Sequence, residues 1–490
     1  MARRAELEQA HSISDLTQTR PVWGAIRSSV LSSGERRLEG ESYLSDGYGF
    51  RLAVEAQRTG WVPLGAISRV WQPSRLKGIA VSPENGTPFL AAGQVFERRP
   101  VARKWLSLAQ TETPSLRFVS RGVLLVSCSG NVGRVTIAHS PHEGKLITHD
   151  LLRVEPADPV QRGWLYAYMK TSQFREMATG TRYGHVVKHL EPEHLQDLPV
   201  VTVPPEMAKE FTERVDGIFA ARDRAHALIA EAEETYAKRL GIDLSAVALD
   251  DAFSVSAREL SHGRRRLDGF FYNRVAAKIT SSLASTTLRV DTLADVCHRV
   301  FAPSRFSRTF GDTGVPYRSA EELFDLNPPV TKRIYASLVE DPEDYMLHPG
   351  WIVMACSGQL YGLNGAVALL NQRHAGTFAS HDLIRIVPNE SQIRPGYLLI
   401  ALGHPTLGRP TIVRHGYGTS IPHLEPTDIA RVSIPRLPEH IETSLAERIE
   451  EAERLRAEAD NAEDEVVQVA SDIVSKFMQG KRGPESVILR

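Results

Sequence analysis

Cysteine is scarce in this chain: Cys128, Cys297 and Cys356 are the only three among 490 residues, and they lie far apart. That count and spacing exclude a disulfide scaffold and a paired-cysteine zinc site, and they predict reduced, mostly buried thiols. No run reaches the ~18 apolar residues that a membrane span requires. The N-terminal Met1-Ala2-Arg3-Arg4 carries charge with no apolar stretch behind it, so the expectation is a cytoplasmic protein. Catalytic signatures are missing as well. There is no Gly-Lys-Ser/Thr phosphate loop, no helical His-Glu-x-x-His and no Gly-x-Ser-x-Gly elbow. An excess of either charge is also absent, with 58 Lys and Arg against 59 Asp and Glu.

What remains is an ordinary globular composition, 42% hydrophobic and 24% charged, long enough for two to four domains. The near-zero net charge conceals a division. From Pro205 to Leu240 the balance is −2 and from Pro438 to Met478 it is −8, which leaves +9 on the rest of the chain. Such a distribution is compatible with a polyanionic partner, although a merely solvated surface fits it too.

The strongest signal is an internal repeat. Asp46-Gly47-Tyr48 recurs as Asp268-Gly269-Phe270, and Arg69 to Arg75 as Arg299 to Arg305. Cys128-Ser129-Gly130 recurs as Cys356-Ser357-Gly358, and His149-Asp150-Leu151-Leu152-Arg153 as His381-Asp382-Leu383-Ile384-Arg385. Tyr183-Gly184 returns at Tyr417-Gly418, and His189-Leu190-Glu191-Pro192 at His423-Leu424-Glu425-Pro426. The six anchors keep their order at separations of 222 to 234 residues. Between them the copies differ, as in Lys77 to Asn85 against Ser307 to Thr313. Short apolar runs punctuated by Gly and Pro predict β-rich mixed lobes.

Each copy ends in a long charged stretch with an apolar stripe. In the first, Phe211, Val215, Ile218, Ala225, Ile229, Ala232, Tyr236 and Leu240 follow steps of three and four, and Arg222 alone breaks the stripe. The second runs through Ile441, Leu445, Ile449, Ala452, Ala459, Ala462, Val466, Ala470, Ile473 and Phe477. Two helices packed on each other are predicted. The alternative is that each lies on its own lobe. The expected fold class is α+β, two tandem mixed, β-rich lobes with a pair of long helices and a pseudo-two-fold internal repeat. The divisions are an N-terminal extension over 1–40, a first lobe over 41–204, a helical segment over 205–262, a second lobe over 263–437 and a C-terminal helix and tail over 438–490.

Two enzyme readings are weighed and set aside. Asn327-Pro328-Pro329-Val330 resembles the Asn-Pro-Pro-aromatic turn of amino-methyltransferases, but the aromatic is missing and no cofactor turn precedes it. It reads as a loop. The repeated His-Asp pairs with Cys128 or Cys356 as nucleophile are formally possible, yet each cysteine follows an apolar run, as a packed strand end does. Basic and aromatic clusters point instead to nucleic acid, since Arg and Lys neutralise phosphates or read guanine, while Asn and Gln read adenine. Candidates in the first copy are Arg75, Lys77, Arg99, Arg103, Lys104, Asn131, Arg134, Arg182, Tyr183, His185 and Lys188. In the second they are Arg305, Arg308, Arg318, Gln359, Tyr361, Arg414, Tyr417, Thr419 and Ser420. No catalytic and no metal-ligating residue is assigned.

The doubled order of Ser-Gly turn, Asp-Leu-Ile/Leu-Arg segment, Gly-Tyr-Leu-type helix, Tyr-Gly turn, His-Leu-Glu-Pro and long helix resembles the specificity subunit of type I restriction-modification systems, over nearly the whole length after residue 40. The extension before it and Pro422 in place of Lys188 depart from a strict match. The resemblance implies two target-recognition domains, each reading half of a split double-stranded DNA site, joined by an antiparallel pair of helices. It also implies docking of two methyltransferase subunits, which carry the S-adenosylmethionine used on adenine, and possible recruitment of a restriction and translocase subunit in phage defence. This chain would itself bind no cofactor. A specificity-like DNA-binding adaptor of another defence or DNA-modification complex is the alternative. Lengthening the first helix by one heptad is expected to lengthen the spacer between half-sites.

Overall fold

A computed structural model describes residues 40–75, 78–109, 111, 113–180, 189–245, 247, 253–261 and 265–481. Each half contains an antiparallel four-stranded sheet. In the first half the strands are β1 (Ser68–Trp71), β2 (Leu124–Ser127), β3 (Val135–Ile137) and β4 (Leu151–Pro156), in the order β1-β4-β2-β3. The helix α1 (Arg162–Lys170) follows, and then the 36-residue α2 (Pro205–Leu240). The second half holds β5 (Cys297–Phe301), β6 (Ile352–Ala355), β7 (Val367–Leu369) and β8 (Leu383–Pro388), in the order β5-β8-β6-β7. It continues with α3 (Pro395–Gly403) and ends in the 40-residue α4 (Glu439–Met478). The chain is therefore mixed α+β, with several small sheets and long helices.

The side-chain alternation of a strand sends successive residues to opposite faces, and here both faces are buried. Leu124 and Val126 of β2 enter a large core with Leu152 and Val154, while Leu125 enters a smaller one with Ile147 and Leu151. In β6, Ile352 and Met354 divide in the same way from Val353 and Ala355. The arginine closing each Asp-Leu-x-Arg segment is wholly buried. Arg153 donates to the carbonyls of Leu151 and Ile147, and Arg385 to those of Ser380, Leu383 and Ala379. These cations hold the preceding turn and are inaccessible to a ligand.

The long helices serve both cores. The first half of α2 (Phe211, Val215, Ile218) meets the second half of α4 (Val466, Ala470, Ile473) in the first core, and the remaining halves meet in the second. Thr235 faces Arg448 while Arg222 faces Asp460 and Glu463, so the helices run in opposite directions. Pro at N1 starts α2, and Gly241 at φ 62° ends it in the left-handed conformation that glycine tolerates. Glycine also permits close backbone approach. A Cβ on Gly163 of α1 would lie 2.4 Å from the Phe211 carbonyl, and one on Gly396 of α3 would lie 2.5 Å from that of Ala446.

Arg222, the break in the stripe, is buried. It donates to Glu463 at 3.0 Å and to Asp460 at 2.8 Å. Glu463 also receives Lys170 at 2.6 Å, the Tyr166 hydroxyl, and Asn327 at 2.8 Å. Burial works to raise the Glu463 carboxyl, but the charges of Arg222 and Lys170 hold it below the usual carboxylate range. The Asn-Pro-Pro loop is thus an anchor of the second lobe on α4. Asn327 sits at φ 40°, a conformation asparagine accepts more readily than most residues.

The lobes also touch directly. Glu97 and Asp325 form an antiparallel bridge, with Arg98 N–H donating to Phe324 at 2.8 Å and Leu326 N–H to Phe96 at 2.7 Å. The two positions are separated by 228 residues, as are the two Cys-Ser-Gly turns.

Candidate nucleic-acid interface

Three motifs distant in sequence converge on one edge of each lobe. In the first, Cys128 N–H donates to the Asp150 carbonyl at 3.3 Å, Leu190 N–H to Cys128 at 2.9 Å, and Ser129 bridges His189. In the second, Cys356 meets Asp382 at 3.2 Å, Leu424 meets Cys356 at 2.9 Å, and Ser357 bridges His423. Backbone hydrogen bonding therefore places the Ser-Gly turn, the His-Asp pair and the His-Leu-Glu-Pro segment side by side. Turn and loop residues held this way have side chains free to vary.

The chemistry of that edge does not favour a nucleophile. Burial, reinforced by Asp150, pushes the Cys128 thiol up to about 12, and burial with Asp382 does the same to Cys356. Both remain protonated at neutral pH. His149 lies 3.5 Å from Asp150, and His381 lies 3.6 Å from Asp382. Partial burial nevertheless lowers both imidazoles, and the neighbouring arginines, Arg75 in one lobe and Arg308 and Arg305 in the other, oppose their protonation. Another compact group, His139, Ser140 and Asp223, is also unsuited to attack. The Ser140 hydroxyl and the His139 ring each bond the Asp223 carboxylate rather than one another.

In the second lobe the edge opens into a groove. Arg305, Arg308 and Lys332 line it with Phe310, Tyr317, Gly358 and Ile421. Arg308 lies 3.6 Å from Asp382 and remains exposed, while Tyr361 and Ile421 are 65% and 58% exposed. Lys332 also lines a second groove, shared with Asn131, Arg134 and Arg175 of the first lobe. Lys332 thus borders both grooves, the second of which also carries the carboxylates Glu322, Asp325, Glu463 and Asp464.

The structure sorts the sequence candidates. Arg75, Lys104, Asn131, Arg305, Arg308, Gln359, Tyr361, Tyr417, Thr419 and Ser420 are exposed, and Gln359 donates to the Ser420 carbonyl at 2.8 Å. Five others have partners within the chain. Arg99 pairs with Glu233 and donates to Gly403, and Arg103 grips both oxygens of Glu97 at 2.7 Å. Arg134 pairs with Asp325 at 3.0 Å and lies over Phe96. Arg318 donates to the Pro329 carbonyl at 2.9 Å, and Arg414 to that of Phe271 at 2.9 Å. Lys77, Arg182, Tyr183, His185 and Lys188 lie outside the described residues. Lys332 and Arg175 were not among the candidates. The adjacent Lys332-Arg333 pair signalled the former, whereas Arg175 had no local signal in its helix.

No protein-family profile matches the chain, and no curated protein matches it. Solved structures do. The chain is similar to type I S subunits. The S subunit of a type I restriction-modification system from M. genitalium is 14% identical, with 88% of this chain and 98% of that chain covered at a TM-score of 0.31. The HsdS subunit from Thermoanaerobacter tengcongensis is 14% identical over 86% of this chain and 96% of its own, at a TM-score of 0.26. A chain from a structure of the type I R-M system is 15% identical over 86% and 97%, also at 0.26.

Proposed function

We propose that this chain is the sequence-specific DNA-recognition subunit of a type I restriction-modification complex, reading a bipartite target. The observation that carries the reading is the convergent edge, framed by the same three motifs in each lobe but furnished differently. Arg75 and Arg305 hold matching places, but Asn131 stands where the second copy has Gln359, and Arg308 and Tyr361 are present in the second alone. A shared frame with unlike side chains is what two readers of different half-sites require. Lobes over 41–204 and 263–437 act as the target-recognition domains. The segments over 205–262 and 438–490 form the helical spacer, whose antiparallel run sets the gap and scaffolds two methyltransferase subunits. Those subunits supply S-adenosylmethionine and the methyl transfer, a restriction and translocase subunit joins them, and this cytoplasmic chain contributes no catalytic group. The ten exposed candidates, together with Lys332 and Arg175, are the proposed DNA-facing residues, and the five undescribed ones stay with them on sequence grounds.

Exchanging residues 41–204 for the corresponding lobe of another specificity subunit, and mapping methylated adenines in cells carrying the hybrid with its methyltransferase, tests this. One half-site is expected to change while the other persists. Methylation at two new half-sites, or at the parental site alone, would overturn the reading.

A further inference from the structure

The junction between the lobes holds a partly open cavity of about 110 Å³, walled by both lobes and both long helices. That volume exceeds what a single ordered water needs. Its charged lining is unbalanced. Five arginines reach it, Arg98, Arg99, Arg103, Arg409 and Arg456, against three carboxylates, Glu97, Glu233 and Glu453. Glu97 is taken by Arg103 and Glu233 by Arg99, while Arg98 and Arg456 share Glu453 at 2.9 and 2.6 Å. Among the described residues Arg409 has no carboxylate in salt-bridge contact, and the charge of Glu97, already held by Arg103, is the one that favours it. Arg409 Nη2 donates to the Gly362 and Asn364 carbonyls at 2.6 and 3.1 Å. The buried Nε atoms of Arg103 and Arg409 have no acceptor.

Nearby groups do not repair the imbalance. Asp325 is matched by Arg134 at 3.0 Å, and Glu321 faces solvent. Burial and the mutual repulsion of the arginines lower Arg99 and Arg409 only to about 10, so both are charged at neutral pH. Arg409 is half-buried, and an unmatched charge partly withdrawn from water carries a cost that a guanidinium does not escape by losing its proton. A counter-anion inside the cavity resolves it.

We propose that the lobe junction is a binding site for a small inorganic oxyanion of the phosphate or sulfate class, held by Arg409 and Arg103 and shared between the two lobes. With both Nη atoms of Arg103 on Glu97 and Arg409 Nη2 on two carbonyls, the donors left to such an anion are the two Nε–H groups and Arg409 Nη1, and a tetrahedral oxyanion accepts several donors at once. The site is distinct from the groove lined by Arg305, Arg308 and Lys332 and does not depend on the DNA reading. A ligand held by residues of both lobes and both helices stabilises their mutual arrangement in proportion to its occupancy.

The test is thermal unfolding of the full chain against inorganic phosphate, with ionic strength held constant by sodium chloride, for the wild type and for Arg409→Gln. The wild type is expected to show a saturable rise in Tm of several degrees. Arg409→Gln should lose that rise while melting no lower than the wild type does without phosphate, because the unmatched charge is gone. A flat wild-type response, or an equal rise in the variant, would overturn the proposal. Should the variant not fold, calorimetric titration of the wild type with phosphate decides the matter. One saturable site supports the oxyanion, and no binding heat together with no Tm response refutes it.

Discussion

Arg305 and Arg308 show what keeps a guanidinium available to a ligand, and Arg99 shows what removes one from play. The first two are exposed beside the Ser357-Gly358 turn, whereas Arg99 is committed to Glu233 and Gly403 at the lobe junction. Each phosphate contact contributes about one unit to the dependence of log affinity on log salt. Replacing Arg305 and Arg308 together by Ala is therefore expected to lower that slope by about 2 and to weaken binding. Fluorescence anisotropy with a target duplex over a salt series checks it, and an unchanged slope would remove both residues from the interface. The sequence showed these arginines as equivalent members of basic clusters. What separates them is the carboxylate each meets in space. Arg98 finds Glu453 at a sequence distance of 355 residues, beyond any local pattern.

At the scale of elements, the helices were legible because their periodicity, the Pro204-Pro205 start and the Gly241 stop are local. The role of Arg222 was not, since its acidic partners lie 238 and 241 residues further on. This bears on the spacer. A heptad adds about 10.5 Å of helix, close to three base pairs of duplex. Inserted into α2 alone, it preserves the phase of the stripe but moves one side of the Arg222 network past the other. Breaking a buried ion pair typically costs about 3–5 kcal/mol. The expectation that one insertion suffices is thus revised. A heptad in α2 between Ala225 and Thr235, matched by one in α4 between Arg448 and Asp460, should lengthen the methylated spacer by about three base pairs with both half-sites retained, while the direct lobe contact at Glu97 and Asp325 is lost. The single insertion should instead show a lower denaturation midpoint. If the matched insertion leaves the spacer unchanged in a methylation map, the helices do not set it.

For the whole molecule, the sequence repeat is the ground for expecting two lobes with a shared frame, and the two four-stranded sheets have the strand orders β1-β4-β2-β3 and β5-β8-β6-β7. Direct contact between the lobes was not readable, because a bridge such as Glu97 to Asp325 is short, irregular backbone with no periodicity to reveal it. The contact gives the molecule a second constraint on lobe orientation besides the helices. Arg98 and Arg99 reach α4 and α2 from the same loop that bridges the second lobe, so loop, helices and neighbouring lobe move together or not at all. Two hybrids separate this constraint from sequence reading. Both carry a foreign first lobe, but one retains residues 96–103 and Arg134 of this chain and the other does not. They should methylate the same new half-site, since the proposed readers Arg75 and Asn131 are exchanged in both. The hybrid without the junction is expected to melt several degrees lower, because Asp325 and Glu233 lose their arginines and Glu453 keeps only Arg456. Equal melting temperatures would show that the helices alone orient the lobes.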